Sequence, residues 1–236
     1  MALFREQTRK KAITFSYDDG VMQDIRLIAL LNKYNLKCTF NLNSGLLGRT
    51  STLMCAGTQV AYNKVQPQDV KYIYNGHEVA AHTLTHPRLT LLEDVEIVRQ
   101  VEQDREALSR LVGYDVVGMA YPCGGVNHDD RVAGIIQAQT QIRYCRTVTS
   151  THCFEIPSDL YKLNPTASHN MEFEKLMQLA EQFLAMDART PQIFYIWGHS
   201  YELDAAPGRW EKLEEFFRLI SNRPDVFYGT NAQVLC

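Results

Sequence analysis

The 236-residue chain has no apolar run near the ~18 residues that a membrane-spanning helix needs. It has no block of basic residues, and its 24 basic and 27 acidic side chains nearly cancel. A nucleic-acid partner is therefore not expected, and a neutral or mildly charged substrate fits better. The six cysteines, at 38, 55, 123, 145, 153 and 236, form no Cys-x-x-Cys pair and follow no regular spacing. That argues against a zinc finger and against a disulfide scaffold, which is normally a small-chain device. No Gly-x-Ser-x-Gly is present, so a serine hydrolase is poorly supported. No repeat or low-complexity stretch is visible. The first residues lack the apolar core of a signal peptide, which leads to the expectation of a cytoplasmic protein, or of a secreted chain shortened at its start.

What is present is an alternation of strand and helix patterns. Short apolar strands are predicted at 13–17, 37–42, 78–81, 116–120, 143–148, 192–197 and 226–229. Helical spacing is predicted at 22–34, 67–74, 91–112, 129–139, 170–186 and 210–220. Residues 48–64 read as an insertion or long loop and 149–169 as irregular. Asn231 is a candidate cap of a short final turn. Alternation of this kind predicts a parallel sheet covered by helices. Chemically suggestive residues follow many of the strands. A closed ring brings all those ends together, which favours a β/α barrel over an open sheet. The length fits a single domain.

The sequence is organised around Thr14–Gly20, Thr-Phe-Ser-Tyr-Asp-Asp-Gly. Neighbouring strand side chains point to opposite faces, so Asp18 and Asp19 can serve one site only if the strand end bends. Taken alone, Asp-Asp-Gly is an ordinary turn. Downstream lie His82-Thr-Leu-Thr-His86-Pro87, Ala120-Tyr121-Pro122-Cys123-Gly124 and Trp197-Gly198-His199. On one helical turn His82 and His86 would share a face, and Pro87 limits such a helix to about one turn. With Asp19 they make a His, His, carboxylate set. Such a set suits a catalytic zinc site with an open position, or another divalent transition metal.

Taken in order, these segments resemble the motifs of the polysaccharide deacetylases, carbohydrate esterase family four or the NodB-homology group. The resemblance covers roughly residues 10–200. It implies an α/β fold, a distorted (β/α)7-type barrel in a single domain with a core of about residues 10–230. It implies a metal-dependent hydrolase that removes N-acetyl or O-acetyl groups from an acetylated sugar or glycan. Asp18 would be the general base and His199 the general acid. Asp19, His82 and His86 would hold a divalent cation, Zn2+ foremost, with Co2+ or Ni2+ also suitable, and its water would be the nucleophile. The backbone N–H of Cys123 would face the oxyanion, and its thiol need take no part. Trp197 stands at the motif leucine and would line the acetyl pocket, near Tyr121 and Pro122.

Three departures stand out. The family's arginine two residues before the proline is Ala120 here, its tyrosine after the proline is Cys123, and its fourth motif is not recognisable. Arg146, on the next predicted strand, is a candidate replacement for the arginine beside Asp18. Asp159 is a candidate to orient His199. His169 and Glu202 are polar residues near strand ends with no assigned role. The departures keep two alternatives open: a small-molecule amidohydrolase opening a cyclic amide or imide, and a catalytically inactive carbohydrate-binding homologue.

Overall fold

The computed structural model describes residues 9–236, so the leader expectation, which rests on the first residues, lies largely outside the described part. In chain order the elements are β1 (Lys11–Asp18), α1 (Asp24–Lys33), β2 (Cys38–Leu42), β3 (Thr52–Cys55), β4 (Thr58–Ala61), α2 (Val70–Ile73), β5 (Glu78–Ala81) and α3 (Asp94–Val112). There follow β6 (Gly118–Ala120), α4 (Asp130–Gln139), β7 (Tyr144–Arg146), β8 (Ala167–Ser168), α5 (Phe173–Ala185), β9 (Gln192–Gly198), α6 (Arg209–Ile220), β10 (Val226–Tyr228) and α7 (Asn231–Leu235).

The main sheet is parallel, in the order β7-β6-β5-β2-β1-β9-β8, with β10 also on β1. β1 changes neighbours along its length: Lys11–Ile13 pair with β10, and Phe15–Asp18 pair with β2. All eight β1 residues are buried, as expected for a strand covered on both faces. The sheet curls, and residues 163–168 reach across its two edges. Leu163 N–H donates to Cys145 O of β7 (2.9 Å), and Thr166 N–H donates to Tyr195 O of β9 (2.8 Å). The result is the expected single-domain α/β fold with a curled, barrel-like parallel sheet. No helix among the described residues is long and apolar enough to cross a membrane.

An aromatic cluster holds α6 and α5 against the sheet. Phe15 lies edge-on to Phe217 (5.2 Å) and Phe216 (6.4 Å), and Phe194 contacts Phe183 (5.4 Å). Truncating one such ring to alanine typically costs about 3–5 kcal/mol.

Two details differ from the sequence reading. Residues 48–64 are not simply a loop, because β3 and β4 form an antiparallel hairpin turned by Ala56 and Gly57 at positive φ. Most of the hairpin is exposed, so burial imposes no apolar alternation that would reveal it. The cap of α7 is Thr230, whose hydroxyl accepts from Gln233 N–H. The Asn231 side chain is engaged elsewhere, between the hydroxyls of Thr14 and Tyr195.

Candidate active site

β1 ends on Asp18, and the chain then turns sharply. Asp19 has φ +85° and Gly20 φ +60°. A side chain at position 20 would meet Leu42 at 2.9 Å, so glycine is required there both by conformation and by space. The turn aims both carboxylates into one cavity of about 270 Å³ at the C-terminal ends of the strands. His82, His86, Tyr121, Cys123, Trp197 and His199 also line it. Pro122, expected near the acetyl pocket, is buried and is not among the lining residues.

Asp18 is held from two sides. Arg146 Nη2 on β7 donates to both carboxylate oxygens, and Asn41 Nδ2 on β2 donates to Oδ1 at 2.8 Å. Arg146 is fully buried and lies under the Trp197 ring, 4.7 Å from its centroid. The guanidinium expected at position 120 thus reaches the same carboxylate from the neighbouring strand.

Asp19, His82 and His86 offer one donor atom each, all within 4.8 Å of one another. Asp19 Oδ1 lies 4.0 Å from His82 Nε2 and 3.8 Å from His86 Nε2, and it has no hydrogen-bond partner although buried. His82 Nδ1 is 2.8 Å from Ala120 O. That contact makes Nδ1 the N–H and leaves the Nε2 lone pair facing Asp19. A buried carboxylate oxygen with no geometric hydrogen bond and two converging imidazole nitrogens are a donor set that fits a divalent cation. Burial pushes the His82 imidazole down to about 4 and lowers His86, so both are neutral ligands at pH 7.

The two histidines are not on a helical turn. Residues 82–88 form a loop with Thr83 and His86 at positive φ, and α3 pins it from behind. The buried Asp104 carboxylate accepts from His82 N–H (2.9 Å) and Ser44 N–H (2.6 Å), and Gln100 accepts from Leu84 and Thr85 N–H. Burial raises Asp104 to about 7. Sequence reasoning missed it, although an acid on the apolar stripe Ile97, Val101, Leu108 was a visible signal.

Lys64, also missed, follows the hairpin. Its buried ammonium lies 3.4 Å from Asp19 Oδ1 and donates to Asp19 O at 2.6 Å. Burial works against ionisation of Asp19. Lys64 and the three histidines outweigh it and hold the carboxyl well below its usual range.

His199 Nε2 lies 3.9 Å from Asp18 Oδ2 and 3.8 Å from Asp19 Oδ2. Its Nδ1 faces Glu202 Oε1 at 3.3 Å, and Glu202 Oε2 accepts the His199 N–H at 3.0 Å. Glu202 is reached in turn by His169 Nε2 (2.8 Å), whose Nδ1 lies 2.8 Å from the Tyr17 hydroxyl. The His169 ring is seated against Gly198, where an added Cβ would come within 2.6 Å of it. Burial alone would lower the His199 pKa. The Glu202 carboxylate, helped by Asp19 and Asp18, lifts it to about 9. The expected orienting role of Asp159 is therefore corrected. That residue caps its own turn through Tyr161 N–H and pairs with Lys162, while Glu202 sits three residues from His199 on the 200–204 turn and reaches it directly. Burial also raises the Cys123 thiol, leaving it protonated and a poor nucleophile at neutral pH.

The sequence pattern of the family described as polysaccharide deacetylase matches residues 5–142, more than half of the chain. The chain belongs to the polysaccharide deacetylase family. Peptidoglycan-N-acetylglucosamine deacetylase PgdA of Listeria monocytogenes is 28% identical over 120 residues, which is 50% of this chain and 22% of that protein. Peptidoglycan-N-acetylmuramic acid deacetylase PdaC of Bacillus subtilis is 26% identical over 137 residues, 56% of this chain and 26% of the relative. The chain thus spans about a quarter of the length of these relatives. Among solved structures, PuuE allantoinase superposes with a TM-score of 0.71 at 11% identity, covering 99% of this chain and 92% of its own. A Mycobacterium smegmatis protein assigned to the polysaccharide deacetylases gives 0.65 at 17% identity, covering 97% and 90%. At such identities the superpositions establish the deacetylase-type fold.

Proposed function

We propose that the protein is a metal-dependent hydrolase that removes N-acetyl groups from an acetylated glycan, with residues of about 10–230 as one catalytic domain. The observation that carries this reading is the convergence of Asp18, Asp19, His82, His86 and His199 on one cavity. Family membership gives the class, an enzyme acting on C–N bonds other than peptide bonds.

Asp19, His82 and His86 are the proposed ligands of a divalent cation, Zn2+ foremost and Co2+ or Ni2+ compatible with the same donors. When bound, such an ion acts as a Lewis acid and makes water nucleophilic near neutral pH. Asp18, oriented by Arg146 and Asn41, accepts the proton that water gives up as its oxygen adds to the acetyl carbonyl. The Cys123 N–H donates to the oxygen that gains charge, a contact whose loss typically costs about 2.7–4 kcal/mol. Trp197 and Tyr121 wall the acetyl group. His199, charged at neutral pH, gives its Nε2 proton to the nitrogen as the C–N bond breaks. Acetate and the free amine leave. Positioned acid and base groups of this kind contribute roughly 10²–10⁴-fold each.

The small-molecule alternative drew on the missing arginine at position 120 and on the unrecognisable fourth motif. The pairing of Arg146 with Asp18 answers the first ground, and the second keeps cyclic amides in the test below. A carbohydrate-binding module without activity would need neither Asp18 with a buried counter-charge nor a charged His199.

The test combines metal analysis of the purified protein with acetate release from N-acetylated chito-oligosaccharides and peptidoglycan fragments, alongside a panel of cyclic amides. One equivalent of divalent metal and acetate from a glycan are expected. A protein that never takes up divalent metal ends the reading, and turnover of cyclic amides alone replaces it with the amidohydrolase.

A further inference from the structure

The hairpin β3–β4 leads into residues 62–65, which run beside the exit of β1. Met22 N–H donates to Asn63 O (2.8 Å), and Val65 N–H donates to Gly20 O (2.9 Å). The turn carrying Asp18 and Asp19 is therefore stitched to the segment carrying Tyr62 and Lys64. Tyr62 lines the catalytic cavity. Its ring meets Tyr201 edge-on at 5.3 Å, and Tyr201 lies 5.0 Å from the His199 ring. The hairpin thus closes the side of the cavity between the ends of β1 and β9.

The Tyr62 hydroxyl accepts a hydrogen bond from Lys64 Nζ at 2.9 Å. An ammonium on the phenolic oxygen forces the O–H proton to point elsewhere. The Asp19 carboxylate lies within hydrogen-bond reach of the same hydroxyl, so a sugar oxygen that takes its proton does so in competition with Asp19. Lys64 is itself fixed by Asp19 O. The cavity therefore contains a hydroxyl held by Lys64 that the chemistry above does not use.

We propose that Tyr62, oriented by Lys64, is a substrate-contacting residue whose hydroxyl donates a hydrogen bond to an oxygen of the acetamido sugar held in the cavity. The role rests on the glycan deacetylase reading and adds to it a recognition group supplied by the hairpin. A site that hydrogen-bonds a substrate oxygen discriminates strongly against analogues lacking it, because the site's own donor is then left unpaired.

The variant Tyr62→Phe keeps the ring against Tyr201 and removes only the hydroxyl. In the full-length protein it is expected to lower kcat/KM on N-acetylated chito-oligosaccharides by roughly 10–100-fold, the effect of about 1.4–2.7 kcal/mol. Metal content and melting temperature should match wild type. Unchanged kcat/KM overturns the proposal. So does a loss that follows loss of metal, which would make Tyr62 a support for Asp19. Calorimetry with tri-N-acetylchitotriose reads the contact without turnover, and weaker binding by Tyr62→Phe is expected. If wild type binds this sugar more tightly than the variant yet releases no acetate from it, the recognition role stands and the deacetylase reading fails. Failure of wild type to bind it overturns both.

Discussion

Where the strands begin, the buried polar groups are paired. The Glu78 carboxylate at the start of β5 accepts from Thr39 Oγ1 (2.7 Å), Tyr144 Oη (2.8 Å) and Ala232 N (3.0 Å). Asn231 is shared by Thr14 and Tyr195. Where the strands end, polar atoms are left over. Among the described residues, the buried side-chain atoms without a geometric hydrogen bond belong to Asp19, Gln23, Asn41, Asn43, Ser44, Thr83, Arg146, Trp197 and His199, although Asp19 Oδ1 keeps Lys64 at 3.4 Å and His199 Nδ1 keeps Glu202 at 3.3 Å. Each lies at, or within a few residues of, the C-terminal end of a strand. Such orphans typically cost about 1–3 kcal/mol apiece. The same sheet thus spends its hydrogen-bonding capacity on cohesion at one end and leaves it available for ligands at the other.

The contrast predicts opposite phenotypes for the two ends. The largest effect is expected from His82→Ala or His86→Ala. Removing one donor of the Asp19 set should abolish both stoichiometric metal uptake and acetate release, measured by elemental analysis and a coupled acetate assay. Full activity in either variant breaks the proposed assignment. Next comes Asp18→Asn, which keeps shape and removes the proton acceptor. It should lower kcat roughly 10²–10⁴-fold with metal still bound.

Glu202→Gln tests the other flank through pH. His199 carries a raised pKa of about 9, so its proton is present below that value and lost as pH rises through it. The alkaline limb of kcat should therefore fall near pH 9 in wild type. Without Glu202, burial is less opposed, and the limb should move down towards or below the ordinary histidine value of about 6.5. An unmoved limb would show that another group is the donor. Any stability contributed by the charged His199 has the same sign, being complete at low pH and fading as pH rises through about 9. The smallest catalytic effect belongs to the other end of the sheet. Tyr144→Phe removes a donor to Glu78 and should lower unfolding free energy by about 1–3 kcal/mol in urea titrations, with kcat unchanged.

The parts legible in the sequence were those set by local pattern. The alternation Ile13, Phe15 against Thr14, Ser16 and the apolar run Gln192–Trp197 revealed strands by local pattern. Asp18 and Asp19 were visible because adjacent acids at a strand end are useful only if the chain bends. Arg146 was identified by residue type and by its place on the next strand. The missed residues depend on distant packing. Asp104 reaches His82 from the inward face of α3, and Lys64 reaches Asp19 after an exposed hairpin that burial does not pattern. Asp159 was chosen over Glu202 because nothing in the spacing shows that His199 opens a tight turn. Only that turn brings a side chain three residues on back to the ring.

The pairing of Asp18 with Arg146 spans 128 positions, and His199 arrives later still. A ribosome that has just finished α4 has already delivered both acids and both cation-binding imidazoles. The guanidinium, the proton donor and the strand that seats it beside β1 remain unsynthesised. Under the proposed chemistry, a nascent chain would stay hydrolytically silent until β9 emerged and zipped into place beside β1.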